Sequence, residues 1–188
     1  MKDYKVKDFM MKNDELLIVR EDANIYEAAS ILEQARQDRG IVGFHSPALL
    51  VADATGRVVA KLSLLNLVAG LEPKYSRVEG PKVTRFGLTT EYLESIYRQY
   101  GLWQDSLESI CRRAGAILVR DLVTRPEESE VVHEDESLSF AVHQMAAGSQ
   151  HNLVVENTKG EITGLLRLDD IYSKIHDLLE TCRLAGNG

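Results

Sequence analysis

Residues 6–10 read VKDFM, and residues 119–123 read VRDLV, 113 positions further along the chain. The same shift holds through the next segment of each half, and after one change in length it becomes 104. The other matched runs are VRED at 19–22 with VHED at 132–135, LLVA at 49–52 with LVVE at 153–156, and AKLSLLNL at 60–67 with GLLRLDDI at 164–171. A constant offset over this many positions marks an internal duplication. Two similar halves that fold together leave a symmetric cleft between them, and ligands commonly bind in clefts.

The composition limits the class of protein. A chain of 188 residues is long enough for one well-packed domain or two small ones. Its net charge of −7 argues against a non-specific nucleic-acid surface, which needs a basic face. No apolar run approaches the ~20 residues of a membrane-spanning helix, and the N-terminus lacks the apolar core of a signal peptide. Cys111 and Cys182 are not spaced as a metal site. We therefore expect a cytoplasmic protein that binds no nucleic acid and does not insert into a membrane.

Each half has the pattern β-α-β-β-α. In the first half, an apolar run at 16–19 predicts a strand, and Asn24 with Glu27 forms a capping box before a helical stripe of apolar residues. Two strands at 48–52 and 57–62 then flank a glycine-containing turn. A short helix ending near Gly70 follows. The second half copies this order, with a final helix that runs almost to the end of the chain. The fold class predicted is α/β (α+β), built from two repeats.

The segment between the repeats has no counterpart. We divide the chain into a first repeat at 1–71, a helical insert at 72–116 and a second repeat at 117–185. The insert is expected to hold a helix capped by Thr89 or Thr90, and a second helix after Gly101 whose apolar stripe starts at Trp103. Two interpretations stay open. The insert either packs on the main core, or presents its aromatic face to a partner or another copy.

The matched runs, in this order and repeated twice, resemble the cystathionine-β-synthase (CBS) domain. The resemblance rests on the order of these motifs in each repeat: an Asp-containing turn before the first helix, and the pattern Gly-h-h-(Ser/Thr)-x-x-Asp, where h is an apolar residue, at the start of the second. It covers about 130 residues. It implies that the repeats pack sheet to sheet about a pseudo-twofold axis and leave two related clefts. Such clefts commonly take AMP, ADP, ATP or S-adenosylmethionine. The resemblance also implies a homodimer that regulates a protein partner in trans, with the nucleotide as a regulatory ligand and no required cofactor.

The candidate ligand-binding residues follow from that pattern and from the chemistry of a nucleotide. A carboxylate suits a ribose diol, and cations or hydroxyls at a helix N-terminus suit phosphates. Neither repeat carries the full pattern, because the first has Ser63 and Asn66 where the second has Arg167 and Asp170. The second cleft is therefore the better candidate for an anionic ligand. The predicted set is Lys61, Ser63, Asn66, Gln150, His151, Arg167 and Asp170.

These residues also have interpretations without a ligand. Asp170 suits a helix start by itself, and Arg167 has Asp169, Asp170 and Glu161 as possible ion-pair partners. The sequence contains no phosphate loop, nucleophile elbow or dinucleotide fingerprint, so we expect no catalytic residues. The five histidines have no HxxxH or HxH spacing, so we expect no bound metal. The alternative to a nucleotide-binding regulator is a structural, dimerising module with an empty cleft. Arg167 held in a salt bridge would favour that alternative. An enzyme of unfamiliar architecture is the third hypothesis.

Overall fold

A computed structural model describes residues 3–38, 48–78 and 89–185. The strands are β1 (Met11–Lys12), β2 (Ile18–Arg20), β3 (Ala48–Ala52), β4 (Val58–Ser63), β5 (Val131–His133), β6 (Asn152–Glu156) and β7 (Ile162–Arg167). The α-helices are α1 (Ile25–Asp38), α2 (Leu64–Gly70), α3 (Thr90–Tyr100), α4 (Leu107–Ala114), α5 (Val119–Leu122), α6 (Leu138–Gly148) and α7 (Leu168–Ala185). Short 3₁₀ turns occupy Val6–Asp8, Asn13–Glu15, Pro73–Arg77 and Glu128–Glu130. The predicted β-α-β-β-α order is confirmed in both halves.

The two halves have matching sheets. In the first, β2 runs parallel to β3 and β3 antiparallel to β4; in the second, β5, β6 and β7 repeat this arrangement. Even the irregularities recur, because the register shifts after Val51 in one sheet and after Val155 in the other. The turns that follow contain Gly56 and Gly160, whose φ angles of +83° and +70° favour glycine. The duplication seen in the sequence is thus a duplication of backbone geometry.

The first residues of each repeat complete the core of the other repeat. The Val6 amide donates to the Glu136 carbonyl at 3.0 Å, and the Val119 amide donates to the Ala23 carbonyl at 2.9 Å. Val6 is fully buried among side chains of the second repeat, while Val119 is fully buried among those of the first. The two contacts are equivalent under the repeat. Neither core is therefore complete without a segment from outside its own repeat.

A third apolar cluster joins the two sheets. Leu50 and Val154, which are equivalent positions, pack there with Val58 and Leu165. Strands β3 and β6 are buried on both faces, since each has helices on one side and the opposite sheet on the other. The predicted sheet-to-sheet packing about a pseudo-twofold axis agrees with this arrangement.

Strand β1 breaks the symmetry. It adds to the edge of the second sheet, antiparallel to β7, with Met11 opposite Leu165 and Lys12 opposite Gly164. Among the described residues, no strand covers the equivalent edge of the first sheet. The two halves are therefore alike in topology and different at one sheet edge.

The insert is packed against the rest of the chain in one part and exposed in another. Buried Leu102 and Ala114, together with a hydrogen bond from the Tyr26 hydroxyl to the Cys111 carbonyl, fix part of it to the core. Thr89 caps α3 as predicted, but Leu93 and Tyr97 on that helix stay about half exposed.

The second helix of the insert begins later than its apolar stripe suggested. It starts at Leu107 behind a Ser106 cap. Trp103 lies before it in the left-handed region, with φ +56°. The Trp103 amide donates to the buried Glu72 carboxylate at 2.6 Å, which accounts for the turn at this point. No helix in the described part of the chain is both long enough and apolar enough to cross a membrane.

Candidate functional site

The turn from β7 into α7 gathers most of the predicted residues. Asn152 pairs with Arg167 in the register of β6 and β7, and the Leu168 amide donates to the His151 carbonyl at 2.9 Å. His151 therefore lies beside the end of β7, where Arg167 closes the strand and Asp170 stands in the first turn of α7. The Gln150 amide closes the preceding helix by donating to the Met145 carbonyl.

Arg167 and Asp170 form a close ion pair with each other. The Arg167 Nε donates to Asp170 Oδ2 at 2.6 Å, and Nη2 donates to the other carboxylate oxygen. Their side chains are only 12% and 26% exposed, so the pair is partly shielded from water. Arg167 directly precedes α7 and Asp170 is the third residue of that helix, a spacing that brings side chains together at a helix N-terminus. The salt bridge anticipated in the ligand-free interpretation is present.

The equivalent turn in the first repeat is also satisfied internally. The backbone amide of Asn66 donates to Ser63 Oγ at 3.2 Å, and the backbone amide of Ser63 donates to the side-chain oxygen Oδ1 of Asn66 at 3.0 Å. The Ser63 hydroxyl donates to the same Oδ1 at 2.5 Å. This is a reciprocal capping box at the start of α2. Both repeats thus use the first and last positions of the four-residue pattern for a local side-chain pair.

Lys61, in the first repeat, contacts residues of the second repeat. Its ammonium donates to the Asn152 carbonyl at 3.0 Å and lies 3.1 Å from Glu130 Oε1. The Lys61 side chain is 13% exposed. The structure therefore groups Lys61 with the second-repeat turn through Asn152, the neighbour of Arg167, and occupies its ammonium with these two oxygens. Its predicted role as a phosphate ligand beside Ser63 stays a prediction.

Sequence reasoning missed Glu130 and Asn152. Asn152 is one of the few buried polar residues, at 8% exposure, and its counterpart in the first repeat is Ala48. The sequence did contain a signal for this contact. At two aligned positions one repeat has a polar residue and the other an apolar one: Asn152 aligns with Ala48, and Lys61 aligns with Leu165. Polar residues that replace apolar ones on two facing strands indicate a polar contact between the halves.

The clearest electrostatic perturbations lie away from these turns, at the contacts between segments. Lys7 donates to Asp135 at 2.7 Å, which lowers the pKa of the Asp135 carboxyl and raises that of the lysine. The Thr55 hydroxyl and the backbone amides around it lower the pKa of Asp53 in the first hairpin turn. Within the described ranges, no cluster of three or more His, Cys, Asp or Glu side chains is arranged to hold a metal ion.

Comparison with known proteins now adds to this geometry. The family model of the CBS domain matches residues 119–177. The structure of CBSX2 in complex with AMP superimposes with a TM-score of 0.57 at 19% identity, covering 93% of this chain and 98% of that one. Residues 119–177 thus match the CBS domain, and the whole chain has the fold of a tandem CBS pair.

Two further CBS structures have the same architecture. A CBS domain-containing protein of unknown function from Bacillus anthracis str. Ames Ancestor gives a TM-score of 0.59 at 14% identity, over 94% of this chain and 95% of its own. The CBS domain of a bacterial CNNM/CorC family Mg²⁺ transporter in complex with ATP gives 0.57 at 12% identity, over 93% and 88%. No curated protein matches this chain by sequence. At these identities the structures show a shared fold.

Proposed function

We propose that this CBS pair is a regulatory protein that binds an adenosine nucleotide, AMP, ADP, ATP or S-adenosylmethionine, at the turn between β7 and α7. The observation that carries the proposal is the placement of Arg167 and Asp170, a cation and a carboxylate at the end of a strand and the start of a long helix. The solved CBS structures with AMP and with ATP support this choice of ligand.

The proposed mechanism is an exchange of partners. A ribose diol offers two hydroxyl donors to the Asp170 carboxylate, and a phosphate offers Arg167 a planar, bidentate acceptor. A nucleotide supplies both groups together, so it replaces the Arg167–Asp170 pair without leaving either charge unpaired. Gln150 and His151 lie beside the turn and are proposed to contact the phosphates.

A thermal-shift and calorimetry series tests nucleotide binding. The full chain is titrated separately with AMP, ADP, ATP and S-adenosylmethionine. At a ligand concentration ~100 times the dissociation constant, the free energy of unfolding should rise by roughly 2.7 kcal/mol. If none of the four stabilises the protein at millimolar concentration, the nucleotide proposal fails.

The Arg167→Ala variant tests the site. We expect nucleotide binding to weaken by at least ~1.5 kcal/mol, because a charged hydrogen bond to phosphate is lost. Arg183→Ala is the matched control, since Arg183 forms an exposed ion pair with Glu180, also three positions away on α7. Equal affinity in both variants would remove Arg167 from the site.

A second function, a ligand-free structural module, is favoured by one specific observation. The key polar side chains of both turns, together with Lys61, already have partners within the chain. In that case the CBS pair acts as a dimerisation platform and the insert contacts a partner protein. The nucleotide titration separates the two functions, because an internally satisfied cleft gives no stabilisation with any of the four ligands.

We propose in either case that the chain forms a homodimer through α2 and the start of α7. Leu64 and its counterpart Leu168 are 40% and 38% exposed, and Val68 and Tyr172 are 49% and 63% exposed. Equivalent apolar exposure on both repeats suits a two-fold, self-complementary interface.

Val68→Glu tests this interface and should shift the chain from dimer to monomer in analytical ultracentrifugation. Leu107→Glu, at an 80% exposed position of the insert, is the control. Dissociation by the control alone would instead assign the interface to the insert.

The remaining parts of the proposal are a protein partner regulated in trans and a cytoplasmic location. Cys111 and Cys182 are both free and exposed, which suits a reducing compartment. The proposal includes no catalytic residue.

A further inference from the structure

A groove lies between α7 and a stretch of the chain near its N-terminus, which includes Tyr4 and Phe9. It has a volume of about 310 Å³. Its walls and floor are mainly apolar and come from Tyr4, Phe9, Leu138, Ile171 and Ile175. None of the seven residues proposed for the nucleotide lines it, so it is separate from the turn that carries Arg167 and Asp170.

The equivalent place in the first repeat is closed. There, Leu122 stands in the position of Phe9, and Gly70 in the position of Lys174. Leu122 packs so closely against α2 that a Cβ added to Gly70 would lie 2.1 Å from its Cδ2 atom. In the second repeat the Phe9 ring instead meets Tyr4 edge-on, with ring centroids 5.5 Å apart. The two repeats therefore have equivalent sites beside their last helices. Leu122 fills the site in the first repeat, and the site in the second repeat is an open groove.

The lining includes one positive and one negative side chain. Lys174 and Asp177 both belong to the exposed residues of α7. They stand three positions apart, so their side chains project from neighbouring places on the helix surface. Neither forms an ion pair with another residue in the described part of the chain. The groove thus combines an apolar interior with an ammonium and a carboxylate that have no internal ionic partner.

We propose that this groove binds an α-amino acid with a large apolar side chain. Such a molecule carries a carboxylate and an ammonium on one carbon, which match Lys174 and Asp177, while its side chain enters the space between Phe9 and Ile175. Because charges of both signs line the groove, a zwitterion satisfies it better than an anion or a cation alone. The volume is at the lower end of the ~300–1,000 Å³ typical of ligand pockets, which suits a ligand of this size better than a nucleotide.

Calorimetry on the full chain tests the proposal with L-phenylalanine and L-leucine as probes. We expect saturable binding of one molecule per chain. Binding should weaken about tenfold for 3-phenylpropionate, which lacks the ammonium, and for 2-phenylethylamine, which lacks the carboxylate. Lys174→Gln and Asp177→Asn are surface changes that preserve the fold, and each should weaken L-phenylalanine binding about tenfold. Lys159→Gln, in the exposed hairpin turn of the same repeat, is the control and should bind like the parent chain.

Three results would overturn the proposal. The first is the absence of saturation with both amino acids at millimolar concentration. The second is equal affinity for 3-phenylpropionate and L-phenylalanine, which would show that the groove does not recognise the ammonium group of the amino acid. The third is a groove already covered by a second copy, seen as a dimer that Lys174→Gln and Asp177→Asn dissociate. Adenine nucleotide binding is measured on the same variants and should not change, so the two proposals fail independently.

Discussion

Lys61 places an ammonium group at the contact between the two sheets, at the position where the second repeat has Leu165. The side chain is largely buried and is held by Glu130 and the Asn152 carbonyl. A shielded ion pair commonly contributes no more to stability than apolar side chains of similar volume, because both charges lose their hydration. Breaking such a pair on one side is costly, since the other charge stays behind. Lys61 therefore connects the repeats at a specific place rather than adding much stability.

A double and a single variant at this contact should behave differently. Lys61→Met combined with Glu130→Gln removes both charges and keeps the side-chain lengths, and we expect the free energy of unfolding to change by less than about 1 kcal/mol. Glu130→Gln leaves the ammonium without its counter-ion and should lower that free energy by about 1 to 2 kcal/mol. Urea denaturation measures both. A larger loss for the double variant than for Glu130→Gln alone would contradict this account.

At the scale of single elements, Gly164 allows β1 to approach the edge of the second sheet. A Cβ at this position would lie 2.2 Å from the Met11 carbonyl oxygen, which is backbone and cannot turn aside. The equivalent residue in the first repeat is Ala60, on a strand to which no described strand adds. The difference between glycine and alanine follows from the presence of β1.

Gly164→Ala should therefore displace β1. We expect a loss of about 1 to 3 kcal/mol in the free energy of unfolding, as for other overpacked sites, with faster hydrogen exchange of the Met11 and Lys12 amides. Gly148→Ala is the matched control, because the nearest group there is the flexible Gln150 side chain at 3.1 Å. Unchanged exchange at β1 in the Gly164 variant would show that the strand tolerates the methyl group.

At the scale of the whole molecule, the exchanged segments make the two repeats depend on each other. Val6 and Val119 are fully buried, each in the core of the opposite repeat. We expect one cooperative unfolding transition, in which Val6→Ala and Val119→Ala each lower the free energy by about 1 to 3 kcal/mol. Leu179→Ala, at a position that is 62% exposed and lies outside the proposed dimer interface, should cost less than about 0.5 kcal/mol. Two separate transitions, each sensitive to only one of the buried valines, would contradict this dependence.

The pH dependence of stability belongs to the same contacts. Folding lowers the pKa of Asp135 through its hydrogen bond with Lys7, and that of Glu136 through a hydrogen bond from the Ser137 amide. A carboxyl with a lowered pKa stabilises the fold above its unfolded pKa, near pH 4, and this contribution is lost as the pH falls through the folded pKa.

Urea midpoints should therefore stay constant from about pH 7 to pH 5 and fall below about pH 4. In Lys7→Gln the loss of stability at low pH should be smaller, because the hydrogen bond with Lys7 is the largest cause of the lowered pKa of Asp135. An identical acid profile in both proteins would exclude this contact as a source of the dependence.

The sequence by itself determined the architecture of this protein. The constant offset between VKDFM and VRDLV required two copies of one unit, and the spacing of apolar residues and glycines fixed the order of strands and helices within it. These signals are local, since they depend on the backbone of neighbouring residues, and they also placed the variable turn positions of the two repeats at the start of α2 and α7.

The tertiary structure decided which residues meet. Lys61 joins Glu130, Arg167 pairs with Asp170, and one side of α7 is left open where Leu122 closes the equivalent side of α2. The groove lined by Phe9 and Ile175 had no signal in the sequence, because its walls come from residues more than 160 positions apart. The physical reason is that an internal repeat fixes backbone geometry, whereas contacts between repeats depend on side-chain volume and charge, which have diverged.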